Sequence, residues 1–503
     1  MRPRHEVVVI GAGPGGIAAG VALKTAGIAD FALLERAEDL GGSWRDNTYP
    51  GIGVDIPSLA YQYSFARNPS WSRVFARGAE VLAYHRSVAQ RYGLHKHLRT
   101  NTTVLREEWD EPNRLWRLHL GDGSVLTSRF VISAVGAFLT PKQDPGIPGL
   151  DEFGGKVQRP ASWDHEHDLH GKRVAVIGTG ASSVQITPAI APEVAALDVY
   201  QRTPVWCLPK PDFTIPPAAQ SVLRLPGVMP LLHGLMLGFV ELLLWPAVYA
   251  PLPVAVPAMR LMDRSARAAY RWYLGKVVRD PAAREALLPS YGPLGKRPTL
   301  SNTFLRAFNR DNTRLVTTAI DRFTERGIRT RDGVEREYDV IVLATGYELF
   351  SDPESYRPGT VVGRRGFDLG EFYAENGLQA YESVSVPRLP NRWTLVGPYS
   401  WTGTGWHALV EITARHAVRV ITEARRRGAT AVEIGQRAHD AYHNRVRRHG
   451  RNIAHYFRVL NRGVRSYYLN SQGDVPYIRP STVVQARWAS RRFPLEHYEF
   501  RLE

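Results

Sequence analysis

Two glycine clusters in this chain have the spacing to hold phosphates. The first is Gly11-x-Gly13-x-x-Gly16. Gly11 suits a tight turn, Gly13 lets the backbone approach a pyrophosphate, and Gly16 lets a helix pack on a strand. The helix N-terminus then faces the negative phosphates. Glu35 follows 24 residues after Gly11, at the end of a second apolar run, where a carboxylate can accept hydrogen bonds from ribose hydroxyls. The second cluster is Gly178-Thr179-Gly180-Ala181-Ser182-Ser183, with the small Ser183 at the third glycine position. Its following strand ends in Gln201-Arg202-Thr203, with no acid. A ribose diol calls for a carboxylate there, whereas a 2′-phosphate calls for a guanidinium. The acid-tipped unit therefore reads as an FAD site and the arginine-tipped unit as an NADPH site. Flavin beside nicotinamide means hydride transfer to flavin.

The next acceptor of those electrons is narrowed by composition. Cys207 is the one cysteine, so a redox dithiol, an internal disulfide and a cysteine-rich metal centre are excluded, and no metal site is expected. Oxygen, a quinone or an electron-transfer protein remain. The net charge of +16 suits anionic cofactors, an anionic membrane surface or nucleic acid. No basic run exceeds Arg425 to Arg427 and no nucleic-acid motif accompanies it, so nucleic acid is not an expected partner. The first residues, Met-Arg-Pro-Arg-His-Glu, run straight into an apolar strand; no secretory signal is expected, and a cytoplasmic, reducing location is.

The elements that must position these residues are strand, glycine turn, helix, strand, twice over. Strands are expected at residues 7–10 and 31–34 around a helix at 17–26, and again at 173–177 and 197–200. The two units lie 167 residues apart, too far for a solenoid repeat, so they are two separate domains. Further strands are expected at 130–136, 338–346 and 393–396, and a helix at 408–426. Residues 228–261 are apolar, with Glu241 and Arg260 as their formal charges, and are broken by Pro230, Pro246, Pro251, Pro253 and Pro257. These prolines argue against one straight membrane span of ~20 residues. The segment reads as a buried helical insert, as a hairpin lying in a membrane surface, or as a transmembrane hairpin.

The stretch from Gly41 to Asp55 resembles the flavin-side fingerprint of the Baeyer–Villiger monooxygenases, a branch of the class B flavoprotein monooxygenases. Its fixed positions Gly41, Gly42, Trp44, Tyr49, Pro50, Gly51 and Asp55 are all present. A second fingerprint runs Phe153-x-Gly155-x-x-x-Arg159-x-x-x-Trp163-Asp164, with Arg159 where the family has histidine. The Trp163-Asp164 ending resembles Baeyer–Villiger enzymes over other class B branches. His165 and His167 do not fit the missing histidine's spacing. Ala344-Thr345-Gly346 matches the linker motif of the class. By position, the resemblance identifies Lys296 and Arg297 with the family's lysine and essential arginine.

The resemblance implies an α/β fold of two Rossmann-like domains with a helical insertion. FAD is expected on residues 1–140 and 386–503, NADPH on 141–209 and 291–385, and the insertion at 210–290. Further cofactor contacts are expected from Gly42, Ser43, Trp44, Tyr61, Val104, Thr179, Ser182, Gln185 and Thr203. Arg297 suits the fixed cation that a C4a-peroxyflavin anion needs, Asp55 can hold that guanidinium, and Lys296 can join Arg202 on the 2′-phosphate. Asp55 also fits a helix N-cap before Ile56-Pro57. The implied reaction uses NADPH and oxygen to convert a small apolar ketone to an ester or lactone. Sulfur or nitrogen oxygenation, or uncoupled NADPH oxidation, are the alternatives on the same scaffold.

Overall fold

An unbroken apolar run makes a strand buried on both faces. In the computed structural model, which describes residues 3–502, His5–Ile10 is that strand, and Val7, Val8 and Val9 are fully buried. Side chains alternate between two cores: Val7 and Val9 enter one, Val8 and Ile10 the other. The strand pairs in parallel with Phe31–Leu34 on one side and Val125–Ser133 on the other. Antiparallel Leu115–Leu120 and Val104–Asp110 extend the sheet, and Leu98–Arg99 closes its far edge. The helices Pro14–Thr25 and Trp406–Arg427 pack on each other over one face.

The second sheet is parallel throughout, in the order Thr313–Val316, Ala196–Tyr200, Arg173–Ile177, Val340–Leu343, Lys156–Gln158. The helix Ala181–Ile190 opens after its glycine turn. Two connecting segments, Phe138–Pro141 and Tyr347–Leu349, run antiparallel between the sheets. The strand expected at 130–136 stops at Ser133, because Ala134 leaves the sheet to pack on the first glycine turn. The strand expected at 338–346 is likewise Val340–Leu343.

The chain returns to the first sheet earlier than residue 386. Val361–Val362 pairs with Glu107 and Glu108, and Phe367, Leu369 and Tyr373 enter the core beneath that sheet. The buried ion pair of Arg392 with Glu107, at 2.7 and 2.9 Å, then ties Arg392–Thr394 across the same sheet.

The insertion is helical; Tyr270, Leu274, Val278 and Leu287 enter the second core, but little of its most apolar helix is buried. Val228–Tyr249 is one continuous helix and Leu252–Val277 the next. Pro230 falls in the first turn, where its missing N–H costs nothing, and Pro246 in the last, so neither interrupts the middle. Pro251 and Pro253 start the second helix. The helix Val228–Tyr249 is long and apolar enough to cross a membrane, yet only 18% of its most apolar stretch is buried.

Candidate active site

The first glycine turn is built by close approaches that side chains would block. Gly11 has φ +100°, and a Cβ there would meet the Ala134 carbonyl oxygen at 2.7 Å; one at Gly16 would meet the Gly11 oxygen at 2.0 Å. Gly13 faces Gly42, at φ +55°, backbone to backbone. The helix after Gly13 has no side-chain cap, so its N-terminal N–H groups suit a pyrophosphate. Buried Glu35 accepts from Ala12 N–H at 2.9 Å and Ala37 N–H at 3.1 Å, and lies 3.3 Å from Arg45. A carboxylate has about four acceptor positions, so capacity remains for a ribose hydroxyl. Thr102 N–H donates to the Glu35 carbonyl at 2.8 Å, which brings the segment leading to Val104 alongside. Arg45, which also pairs with Asp46 at 2.6 Å, was not singled out from the sequence; its place inside the fingerprint was the available signal.

Ser43 starts the short helix Ser43–Asp46, and Trp44 donates its indole N–H to the Tyr61 hydroxyl at 3.0 Å. Tyr61 stands edge-on to His407, and His407 Nε2 meets His85 Nε2 at 2.8 Å. Burial holds His85 down to about 3, and burial, with the neighbouring His85, holds His407 well below the ordinary value.

Asp55 and Arg297, 242 residues apart in sequence, form an ion pair. Both carboxylate oxygens sit on Nη2, at 2.6 and 2.5 Å, so the aspartate grips one corner of the guanidinium rather than capping a helix. The Asp55 charge holds the Arg297 proton far above the usual range, against burial. Tyr467, Tyr468 and Tyr477 surround this cation and are all raised by burial. Sequence reasoning missed these three; no periodicity marks them.

The second glycine turn repeats the first. Gly178 has φ +107°, with a Cβ position 2.7 Å from the Ala344 oxygen, while the space beyond Gly180 is open. The Thr179 hydroxyl donates to the Thr203 carbonyl at 3.0 Å and Ser183 is buried beside Thr187. Arg202 is exposed at the strand end. Burial and the charge of Arg202 pull Lys296 down to about 8, which places the two cations together. Such a pair suits a dianionic phosphate.

Gln185 links the second unit to the flavin-side fingerprint. Its amide oxygen accepts from the Tyr49 hydroxyl and its NH2 donates to the Gly53 carbonyl, both at 2.9 Å. Ser182 also lies near Tyr49, whose phenol burial pushes up to about 12. Tyr347 donates to Asn47 at 2.7 Å and His165 meets Thr48 at 2.9 Å. The 47–53 segment is thus held by three side chains from beyond the first sheet. The Arg159 guanidinium donates to the Gln143 carbonyl at 3.4 Å. Asp164 pairs with Lys156 at 2.5 Å and Trp163 is buried.

Known proteins match this arrangement across the whole chain. The profile of the family described as pyridine nucleotide-disulphide oxidoreductase matches residues 8–224. A Baeyer–Villiger monooxygenase of Streptomyces coelicolor is 36% identical over 98% of this chain and 93% of its own. One of Pseudomonas aeruginosa is 36% identical over 88% and 82%. OTEMO in complex with FAD and NADP has a TM-score of 0.85 at 26% identity, covering 99% of this chain and 100% of that one. Cyclohexanone monooxygenase from Rhodococcus sp. Phi1 bound to NADP+ has a TM-score of 0.85 at 25% identity, covering 100% of both.

Two dinucleotide turns without a redox cysteine pair fit a flavoprotein that draws on NADPH, and the likeness to these enzymes makes it an FAD-dependent monooxygenase. The sole thiol, Cys207, is buried and pushed up to about 12, so disulfide chemistry has no place here. Within that class the chain belongs to the Baeyer–Villiger monooxygenases.

Proposed function

We propose that this enzyme inserts one oxygen atom beside the carbonyl of a small apolar ketone, and that Arg297 is the fixed cation on which the reaction depends. Residues from 3 to about 135, together with those from about 361 onward, are read as the FAD-binding part. The second sheet is read as the NADPH-binding part. Bound FAD, when present, supplies two-electron transfer from NADPH to oxygen and delivery of one oxygen atom. The chain's own residues bind, orient and stabilise. Gly11, Gly13, Gly16 and the N-terminus of Pro14–Thr25 take the FAD pyrophosphate, Glu35 its ribose, and Trp44 with Tyr61 wall the site. Gly178 to Ser183 take the NADPH pyrophosphate, and Arg202 with Lys296 the 2′-phosphate.

The observation that carries this reading is the Asp55–Arg297 pair among three tyrosines. A permanently charged guanidinium in a partly dry site stabilises negative charge that develops on oxygen and on the substrate carbonyl, and arginine cannot give its proton away. The test is NADPH consumption, oxygen uptake and product analysis against a panel of ketones and sulfides. Ester or lactone formation coupled to NADPH supports the reading. Sulfoxide alone, or peroxide alone, would replace it with the corresponding alternative. Residues 228–261 are proposed as the part of the chain that meets a membrane surface.

A further inference from the structure

We propose that the exposed side of the helix Val228–Tyr249 docks on an anionic phospholipid surface, lying in the headgroup plane. This deepens the reading of residues 228–261 as a membrane contact and rests on it. Leu231, Leu235, Phe239 and Leu242, spaced i, i+4, i+8, i+11, form one stripe along the helix, each 63–73% exposed. Leu243 and Trp245 flank them at 60% and 59%. Scattered exposed leucines need no explanation, but a continuous apolar stripe two-thirds exposed does.

Contacts near its start, in its middle and at its end fasten the helix to the protein. His233 Nε2 meets Arg487 at 3.2 Å, Glu241 accepts from Val484 N–H at 2.7 Å, and the Tyr249 hydroxyl donates to Gln485 at 2.6 Å. A helix fastened near both ends and in the middle lies along the surface; it does not leave the protein to cross a bilayer. Val484 and Trp488, on the helix Val483–Arg492 that holds it, add exposed apolar area at 58% and 60%.

The occupant is identified by charge. Burial and the neighbouring charge of Arg491 lower Arg415. Arg487 is lowered by burial and by Arg415, Arg491 and Arg67. Four arginines therefore crowd one another beside the apolar helix. The carboxylate facing them, Glu411, is already held by Ser64 N–H at 2.6 Å and by the Ser64 hydroxyl. Arg260, Arg264 and Arg271 are exposed on the following helix, Leu252–Val277. One carboxylate, Glu411, faces four arginines, so an apolar strip beside a net positive cluster matches acyl chains beneath phosphate headgroups, and neither a neutral surface nor a second copy of this +16 chain supplies the counter-charge.

The test is co-sedimentation of the FAD-loaded enzyme with vesicles of phosphatidylcholine alone and of phosphatidylcholine mixed with phosphatidylglycerol. Binding to the mixed vesicles, weakened by salt, is expected, with little to the neutral ones. Leu235→Asp with Phe239→Asp should leave the protein in the supernatant while NADPH oxidation persists, because both side chains are exposed. Arg491→Gln should weaken binding roughly fivefold. Equal binding to both vesicle types would overturn the anionic requirement but keep the membrane contact. Supernatant in both cases would overturn both. Concentration-dependent dimerisation abolished by Phe239→Asp, without vesicle binding, would assign the stripe to a second copy and overturn the proposal.

Discussion

The Tyr49 hydroxyl donates to the Gln185 side-chain oxygen at 2.9 Å, from the flavin-side fingerprint to the first helix of the second sheet. The same amide donates to the Gly53 carbonyl, and a Cβ at Gly51 would meet the Gln185 backbone oxygen at 2.5 Å. One glutamine thus fixes three residues of the neighbouring segment. Gln185→Ala would leave the buried Tyr49 hydroxyl and the Gly53 carbonyl without this partner. The expected cost is about 1–3 kcal/mol of stability, the penalty for stranding buried polar groups. Thermal melts of the FAD-loaded protein check it. Tyr49→Phe, which removes donor and demand together, should cost less; an equal or greater loss would show that the bond is not what matters.

The glycine turns were legible because their geometry admits few other residues. Positive φ at Gly11 and Gly178 and backbone contacts under 3 Å leave little room for a side chain. The parallel strands were legible because burial on both faces demands an unbroken apolar run. The bonds of Gln185 to Tyr49 and Gly53 were not legible, because sequence position says nothing of where an amide points. The Asp55–Arg297 pair was reached through family resemblance; no local pattern links residues 242 apart. Tyr467, Tyr468 and Tyr477 were missed for the same reason. The pairing of Val361–Val362 with the first sheet was not legible, since two residues are too short to carry a period. The prolines of 228–261 were read as breaks, when their effect depends on the turn of helix they occupy.

Lys296 makes NADPH binding sensitive to pH. Its ordinary value of 10.5 is pulled to about 8 by burial and the charge of Arg202. A dianionic 2′-phosphate placed between the two would reverse that pull and raise it again. Binding at about pH 8–9 should therefore take up a proton, and affinity for NADPH should fall as pH rises through about 8. NADH, lacking the phosphate, should show neither effect. Calorimetry in buffers of different ionisation heat measures the uptake. Arg202→Ala should relieve the repulsion on Lys296 yet raise KM for NADPH by about tenfold or more, since each charge-assisted bond is worth roughly 1.5–3 kcal/mol. Equal KM for both nucleotides in the unaltered enzyme contradicts the assignment.

Three buried histidines should make the fold acid-sensitive. His85 is held down to about 3 by burial, and His407 and His416 well below the ordinary 6.5. All three stay neutral in the fold where the unfolded chain protonates. The unfolded state then binds more protons, so their contribution is full above about 6.5 and declines as pH falls towards the folded values. Each adds up to about 1.4 kcal/mol of lost stability per pH unit in that window. Urea unfolding between about pH 7.5 and 4.5 should show this slope. His416→Leu should lower stability at neutral pH, losing the 2.6 Å bond to Tyr498, yet flatten the slope by one histidine's share. An unchanged slope would mean that His416 is protonated in the fold.

Arg297 should be needed after flavin reduction and not before it. Hydride transfer asks for stacked nicotinamide and flavin, and the residues proposed to hold NADPH, Gly178 to Ser183 and Arg202, do not include Arg297. Arg297→Ala should therefore still bleach the flavin with NADPH. Oxygen transfer loses the one cation that Asp55 fixes in place. Removing such a stabiliser costs about 2.7–4 kcal/mol, or roughly 10²–10³ in rate. NADPH would then be consumed with hydrogen peroxide as product and little ester. Arg297→Lys should recover part of the yield at most, because a point charge on a flexible stem cannot reproduce the planar guanidinium whose Nη2 Asp55 holds at 2.5 and 2.6 Å. Asp55→Ala should give a milder form of the same defect, since it positions the guanidinium and stabilises no oxygen itself. Peroxide release and ester yield, measured together in all three variants, decide the matter. Full product yield from Arg297→Ala would remove the residue from the mechanism.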